Sequence, residues 1–399
     1  MKSHIFLLIV KFAPGPVKQE QHASDRLGNP YQVNAATKIN LLDLTRQDME
    51  AFFAQLGEKA FRATQVLKWL HQYGVDHIQD MTNLSKSLRA QLEQLAEINA
   101  PKIVVDAQSE DGTRKWVLEM DSGNHVETVF IPERDRGTLC VSTQIGCALA
   151  CTFCSTARQG FNRNLSVHEI IGQMWVANKA LGRDPKGERV ISNVVFMGMG
   201  EPLLNFDNVM KTISLLLDDF AYGLSKRRVT ISTSGVVPAI NRLHESTDVY
   251  LALSLHAPND VLRSELVPLN NKYPLAEVLD ACVRYVRREP GKRVTIEYVM
   301  IDGFNDKPEH ARELVKLLRN LPVKVNLIPF NPFPGSNFKR STPQALEKFR
   351  EILINNKLTT ITRKTRGDDI DAACGQLVGK VKDRSKRTQQ QASLRQGVA

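Results

Sequence analysis

Long apolar runs are missing from this sequence. No stretch approaches the roughly eighteen consecutive apolar residues that a helix needs to cross a bilayer, which excludes a helical membrane span. The run 5–10 behind Met1 and Lys2 is short, is followed at once by Lys11 and has no clear small-residue cleavage site, so a secretory signal is not expected. Cysteine is scarce as well: six in 399 residues are too few for a disulfide scaffold. These absences predict a protein of a reducing compartment, the cytoplasm. Acidic residues fall short of basic ones, 43 against 53, and the resulting formal charge of +10 favours a polyanion such as RNA or DNA without naming one.

What is present supports one large core with a smaller appendage, since 42% of the chain is hydrophobic. Residues 1–38 lack periodicity and are rich in Pro, Gly, Gln and Asn; they read as a disordered or misassigned extension. Over 39–100 the spacing turns helical, with Met49, Phe52, Phe53 and Leu56, then Val66, Leu67, Trp69 and Leu70, forming apolar stripes. This predicts a small all-α accessory domain. Lys59, Arg62, Lys68, His71, Lys86 and Arg89 are expected on its solvated face, serving either solubility or RNA contact.

Over 101–137, three alternating segments at 102–108, 114–120 and 125–131 are separated by Asp-Gly and Ser-Gly breaks, the pattern of a β-meander. From 138 to 378, strand-like and helix-like segments alternate, with six strands expected at 138–142, 190–197, 228–234, 249–255, 293–300 and 323–329. Such alternation predicts an α/β fold, either a βα barrel or a doubly wound sheet. In both, the active site gathers at the carboxyl ends of the strands. Residues 379–399 form a basic tail.

Three of the six cysteines crowd into Cys147-Ala-Leu-Ala-Cys151-Thr-Phe-Cys154, directly after the first expected barrel strand. An Fe–S cluster normally takes four cysteine ligands, so a loop with three leaves one iron open to another molecule. A zinc site would need a fourth Cys or His, which Cys140 alone is near enough in sequence to supply. The spacing therefore points to a [4Fe-4S] cluster whose open iron takes S-adenosylmethionine (SAM). Other strand ends are polar: Gly200 and Glu201 after the second strand, Ser232 after the third, Ser254, Leu255 and His256 after the fourth, and Asn331 after the sixth. Single polar strand ends usually cap helices, but several on one rim favour a ligand ring. Of the remaining cysteines, Cys282 lies on an apolar helix face and reads as core. Cys140 suits core packing equally well, and Cys374, among small residues in Gly367-Asp-Asp-Ile-Asp-Ala-Ala-Cys374-Gly, divides evenly between packing and chemistry.

The cysteine loop with its flanks from Thr143 to Leu165, the Met197-Gly-Met-Gly-Glu-Pro-Leu-Leu run, Ser225-Lys-Arg-Arg-Val-Thr, Ser254-Leu-His-Ala-Pro-Asn-Asp and the stretch from Arg363 to Leu377 together resemble the bacterial dual-specificity RNA methyltransferase family RlmN. The resemblance runs over 39–387. It implies a partial (β/α)6 radical SAM barrel that methylates C2 of an adenine in the peptidyl-transferase region of 23S rRNA, before full ribosome assembly, and of the adenine 3′ to the anticodon in certain tRNAs. It further implies that Cys147, Cys151 and Cys154 ligate the cluster, and that Gly200, Glu201, Ser232, Ser254, Leu255, His256 and Asn331 bind SAM.

By the same resemblance, Cys374 takes a methyl group from one SAM, and a second SAM yields the 5′-deoxyadenosyl radical that activates this methyl for addition to C2. Cys140 then releases the tethered RNA by closing a transient disulfide with Cys374. Glu127 is either the proton acceptor or a contact to the base. The partners implied are the two RNAs and an electron donor such as flavodoxin, with the enzyme a cytoplasmic monomer and no membrane involved. Two rivals use parts of the same signal: a relative methylating C8 of the same rRNA adenine, which the stretches 159–165 and 368–371 fit less well, and a zinc-bound RNA-binding protein without catalysis.

Overall fold

The structure, a computed structural model, describes residues 38–134, 136–184 and 187–379. The N-terminal extension and the basic C-terminal tail expected from the sequence lie outside them, apart from Lys38 and Gly379. The first ordered helix, α1 (Arg46–Gln55), begins where the Thr45 side chain accepts from the Asp48 N–H and Asp48 reaches back, and it buries Met49, Phe52 and Phe53. Helix α2 (Phe61–Leu67) runs into a π-turn at Lys68–Tyr73, and the segment stops at Gly74 in the left-handed region. Helix α3 (Lys86–Leu95) is capped by Ser85 and turns Leu88 and Leu92 inward.

One expectation fails here. His71, placed by simple helical spacing on the solvated face, is only 2% exposed and packs on Tyr222 with ring centres 5.1 Å apart. The π-turn inserts a fraction of a turn into the 3.6-residue period and rotates Leu70 and His71 inward together. Burial then lowers the His71 pKa to about 3, so the ring is neutral.

The helical unit is fastened to the rest of the chain by polar contacts. Arg46 donates twice to Asp218 at 2.6 Å, and Trp175 Nε1 donates to the Leu70 carbonyl at 2.9 Å. His168 stands between Asp43 and Asp121, 2.9 Å from each.

Ten strands form one sheet in which spatial order follows chain order. Strands β1 (Lys102–Gln108), β2 (Arg114–Glu119), β3 (His125–Glu133) and β4 (Arg136–Cys140) pair antiparallel, as the meander pattern predicts. From β4 onward every pairing is parallel: β5 (Asn193–Phe196), β6 (Val229–Thr233), β7 (Tyr250–Ser254), β8 (Val294–Met300), β9 (Val323–Pro329) and β10 (Thr360–Thr362). Helices cover the crossovers, among them α4 (Val167–Ala180) between β4 and β5.

Six parallel strands are expected from the sequence; β10 makes a seventh. It is three residues long, too short for any alternation to declare it, and it carries the chain directly into Arg363. One continuous cavity touches inward-facing residues of every strand from β3 to β10, so the sheet curls into a partial barrel.

Candidate active site

The loop after β4 is set by a close backbone approach. Gly146 has φ +75°, and a Cβ there would lie 2.0 Å from the Gly160 carbonyl oxygen. That carbonyl accepts instead from the Cys147 N–H at 2.8 Å. The loop then carries Cys147, Cys151 and Cys154 round one side of a cavity of about 150 Å³ and ends in the short helix Ser155–Arg158. Cys147 and Cys151 are buried among apolar side chains that include Val299, Phe330 and Phe333. Burial, then the neighbouring Cys147 and Cys154, hold the Cys151 thiol well above its ordinary pKa. Three thiols in a dry pocket ionise readily only against bound positive charge.

The opposite wall is built by strand ends. Gly200 has φ +97°, and a Cβ would meet Gln144 at 2.5 Å; the Gln144 side chain instead accepts from the Glu201 N–H at 2.9 Å. The Glu201 carboxylate is 3% exposed and accepts from the N–H groups of Ser234 and Leu203, at 2.8 and 3.1 Å. Burial raises its pKa to about 6 despite those bonds. It is a fixed acceptor suited to an ammonium group. Ser232 and Ser254 end β6 and β7 on the same cavity. His256, at φ +63°, accepts from the Val299 N–H at Nδ1 (3.1 Å), so its proton resides on Nε2. Burial holds this ring at about 3, hence neutral.

Two residues expected on this rim stand elsewhere. Leu255 is fully buried, with its N–H bonded to the Glu297 carbonyl, and does not line the cavity although its neighbours Ser254 and His256 do. The Asn331 amide donates to the Cys374 carbonyl at 3.1 Å and accepts from Arg340 at 2.9 Å, and the residue borders a second cavity rather than the first.

That second cavity, of about 760 Å³, fills the barrel lumen and is ringed by Arg136, Arg227, Arg228, Lys324, Lys364 and Arg366. Cys140 lies on its wall, its thiol pushed up to about 12 by burial and then by Cys374. Cys374 is exposed and borders both cavities, as do Arg363 and Glu297. Arg363 borders the same two cavities as Cys374, and its pKa is raised first by that sulfur, then by Glu297 and Cys140. No disulfide joins any of the six cysteines, and Cys282 sits fully buried in the core, as expected. Glu127 borders neither cavity: its carboxylate lies 3.3 Å from Lys115 and accepts from the Val378 N–H at 2.9 Å, behind the segment that carries Cys374. Burial first, against the Lys115 charge, raises its pKa.

Three residues of the site escape sequence reasoning. Arg363 falls in a recognised stretch but has no assigned role there. Glu297 announces itself only as a lone charge in the apolar strand Val294–Met300. Arg263 reads as an ordinary helix-surface cation, yet it is fully buried and ties the rim together.

Residues 39–98 match the model of the ribosomal RNA large subunit methyltransferase N-terminal domain, and residues 141–318 match the radical SAM superfamily. The chain is similar to a crystal structure of a radical SAM methyltransferase from Sphaerobacter thermophilus, with a TM-score of 0.80 and 42% identity, covering 85% of this chain and 99% of that one. It is 61% identical over 363 residues to the dual-specificity RNA methyltransferase RlmN of Marinobacter nauticus, covering 91% of this chain and 98% of the relative. With its radical SAM barrel and RlmN-type N-terminal domain, the chain belongs to the RlmN family.

Proposed function

We propose that this protein methylates C2 of adenine in RNA, acting on 23S rRNA at the peptidyl-transferase region and on tRNA beside the anticodon, with Cys374 as the methyl carrier. The observation that carries this reading is the position of Cys374 at the junction of two cavities, one lined by three cluster-spaced cysteines and one ringed by cations and bordered by Cys140. Cys147, Cys151 and Cys154 would hold a [4Fe-4S] cluster. Glu201, Ser232, Ser254 and His256, with Gly200, would hold SAM. When bound, these groups supply a methyl group and a radical able to remove hydrogen.

The Cys374 sulfur takes the methyl group as a thioether and, once that methyl has lost a hydrogen atom, bonds its carbon to C2. Its exposure leaves the sulfur free to face either cavity, while Asn331 holds its backbone carbonyl. Glu127 keeps the two roles open to it, acceptor of the C2 proton or contact to the base, and stands behind the segment that carries Cys374 with its carboxyl raised by burial. Once the unpaired electron of the adduct has been returned to the electron-transfer centre, Cys140 as thiolate bonds the Cys374 sulfur as the sulfur–carbon bond breaks, the freed carbon takes a proton to become the methyl group, and the disulfide is left for a cellular thiol to reduce. Lumen cations would draw in the RNA backbone, and the adenine must leave its helix to reach so recessed a carbon. The recess favours 23S rRNA before full ribosome assembly, with the enzyme a cytoplasmic monomer served by a flavodoxin-type donor.

Mass spectrometry of rRNA and tRNA nucleosides from cells with and without the gene tests this: 2-methyladenosine should vanish from both on deletion. Loss of 8-methyladenosine instead would overturn the C2 assignment. The Cys140→Ala variant should accumulate protein covalently bound to RNA, whereas clean turnover by it would refute the resolving role.

A further inference from the structure

Glu297 is a buried carboxyl in the lumen for which the scheme above has no use. It lies at the middle of β8, in register with Ser254 on one side and Asn326 on the other, and is 4% exposed. Oε1 accepts from Asn326 Nδ2 at 2.9 Å, while Oε2 has no hydrogen-bond partner. The nearest charge to Oε2 is Arg363 Nη1 at 3.9 Å, too far for a hydrogen bond. Glu297 lines both cavities, and Asn326, bonded to its Oε1, lines only the cation-ringed one, so the carboxyl stands at the junction of the two. An unsatisfied acidic oxygen at that junction, where Cys374 also borders both cavities, has the position of a contact to the base.

Resting on the reading of the site as an adenine-C2 methyltransferase, the geometry points to Glu297 as the residue that recognises and activates the target base, through a hydrogen bond from its carboxyl to N1. A base drawn from its helix is read on its Watson–Crick edge, and in adenine that edge places the acceptor N1 next to C2. The sugar stays toward the cavity mouth, so N1 leads into the lumen and N3 trails. Burial already raises the carboxyl above its ordinary range, against Arg363, Asn326 and Lys324, and a base sealing the lumen would remove more water and act the same way. Hydrogen bonding at N1 withdraws electron density from C2, the carbon that must accept an electron-rich sulfur-bound methylene. The same carboxyl rejects guanine, whose N1 carries a hydrogen and would leave two donors facing each other.

The test uses the holoenzyme with synthetic RNA carrying adenosine, 1-deazaadenosine or 3-deazaadenosine at the target. The 1-deaza base should slow the wild type by about a hundredfold, the scale of proton-donor assistance. Glu297→Ala should be comparably slow on adenosine and show no further loss on the 1-deaza base, while 3-deaza substitution affects both proteins alike. Glu297→Gln, which keeps the shape and an N–H donor, should still discriminate against 1-deazaadenosine at a reduced rate. Equal sensitivity of wild type and Glu297→Ala to 1-deaza substitution would overturn the proposal, as would a weaker Kd for SAM with base discrimination intact. If the wild type methylates no adenosine at all, the functional reading falls with it; methylation with indifferent Glu297 variants sinks this inference alone.

Discussion

Replacing Arg263 with Met should destabilise the protein by about 3 kcal/mol and weaken SAM binding, because this side chain joins three segments of the rim. Its guanidinium donates to the carbonyls of Ser234, Leu255 and Ser254 at 2.7, 3.2 and 3.3 Å and to Asn270 Oδ1 at 2.8 Å. Counting about 2 kcal/mol for each of the two short charged bonds and about 1 for each long one gives roughly 6 kcal/mol. Against this stands the cost of burying the cation, visible in a pKa lowered by burial from 12.5 to about 10, or about 3 kcal/mol. The difference is the expected loss, readable as a shift in the denaturation midpoint at unchanged slope. Arg263→Lys keeps the charge but not the planar fork, and should recover less than half. A Met variant within about 0.5 kcal/mol of wild type would refute the reasoning, showing that an apolar isostere offsets the lost bonds, as happens at some buried ion pairs.

Gly146→Ala should leave a chain unable to retain iron, since the added Cβ meets the Gly160 carbonyl at 2.0 Å in a left-handed conformation and would cost about 3 kcal/mol or more; iron per chain equal to wild type would contradict this. His168 gives a pH signature. Burial lowers its pKa, but the contacts with Asp43 and Asp121 outweigh this and leave it above 6.5. Its contribution to docking the helical unit is therefore full below pH 6.5 and lost as pH rises through the raised folded value. Limited proteolysis near Asp43 should increase over that range in the wild type and be independent of pH in His168→Gln.

Much of the architecture is legible in the sequence because its signals are local. The β-meander follows from period-two alternation and Gly-containing turns, and the small helical unit follows from its apolar stripes. β10 and the inward turn of His71 are not legible, the first because three residues carry no period, the second because a π-turn breaks the period on which the expectation depends.

The candidate ligand set Cys147, Cys151 and Cys154 is legible in the sequence itself, since eight residues of chain would reach round only one cluster. The roles of Cys140 and Cys374 are suggested by resemblance alone; their local patterns suit packing equally well. Only the tertiary structure decides that Cys374 stands where two cavities meet, that Arg363 lines the same junction, and that Glu297 presents an unsatisfied oxygen there. These facts depend on burial and on distances between residues far apart in the chain. A charged residue in a sequence gives no sign of whether folding will leave it in water or enclose it.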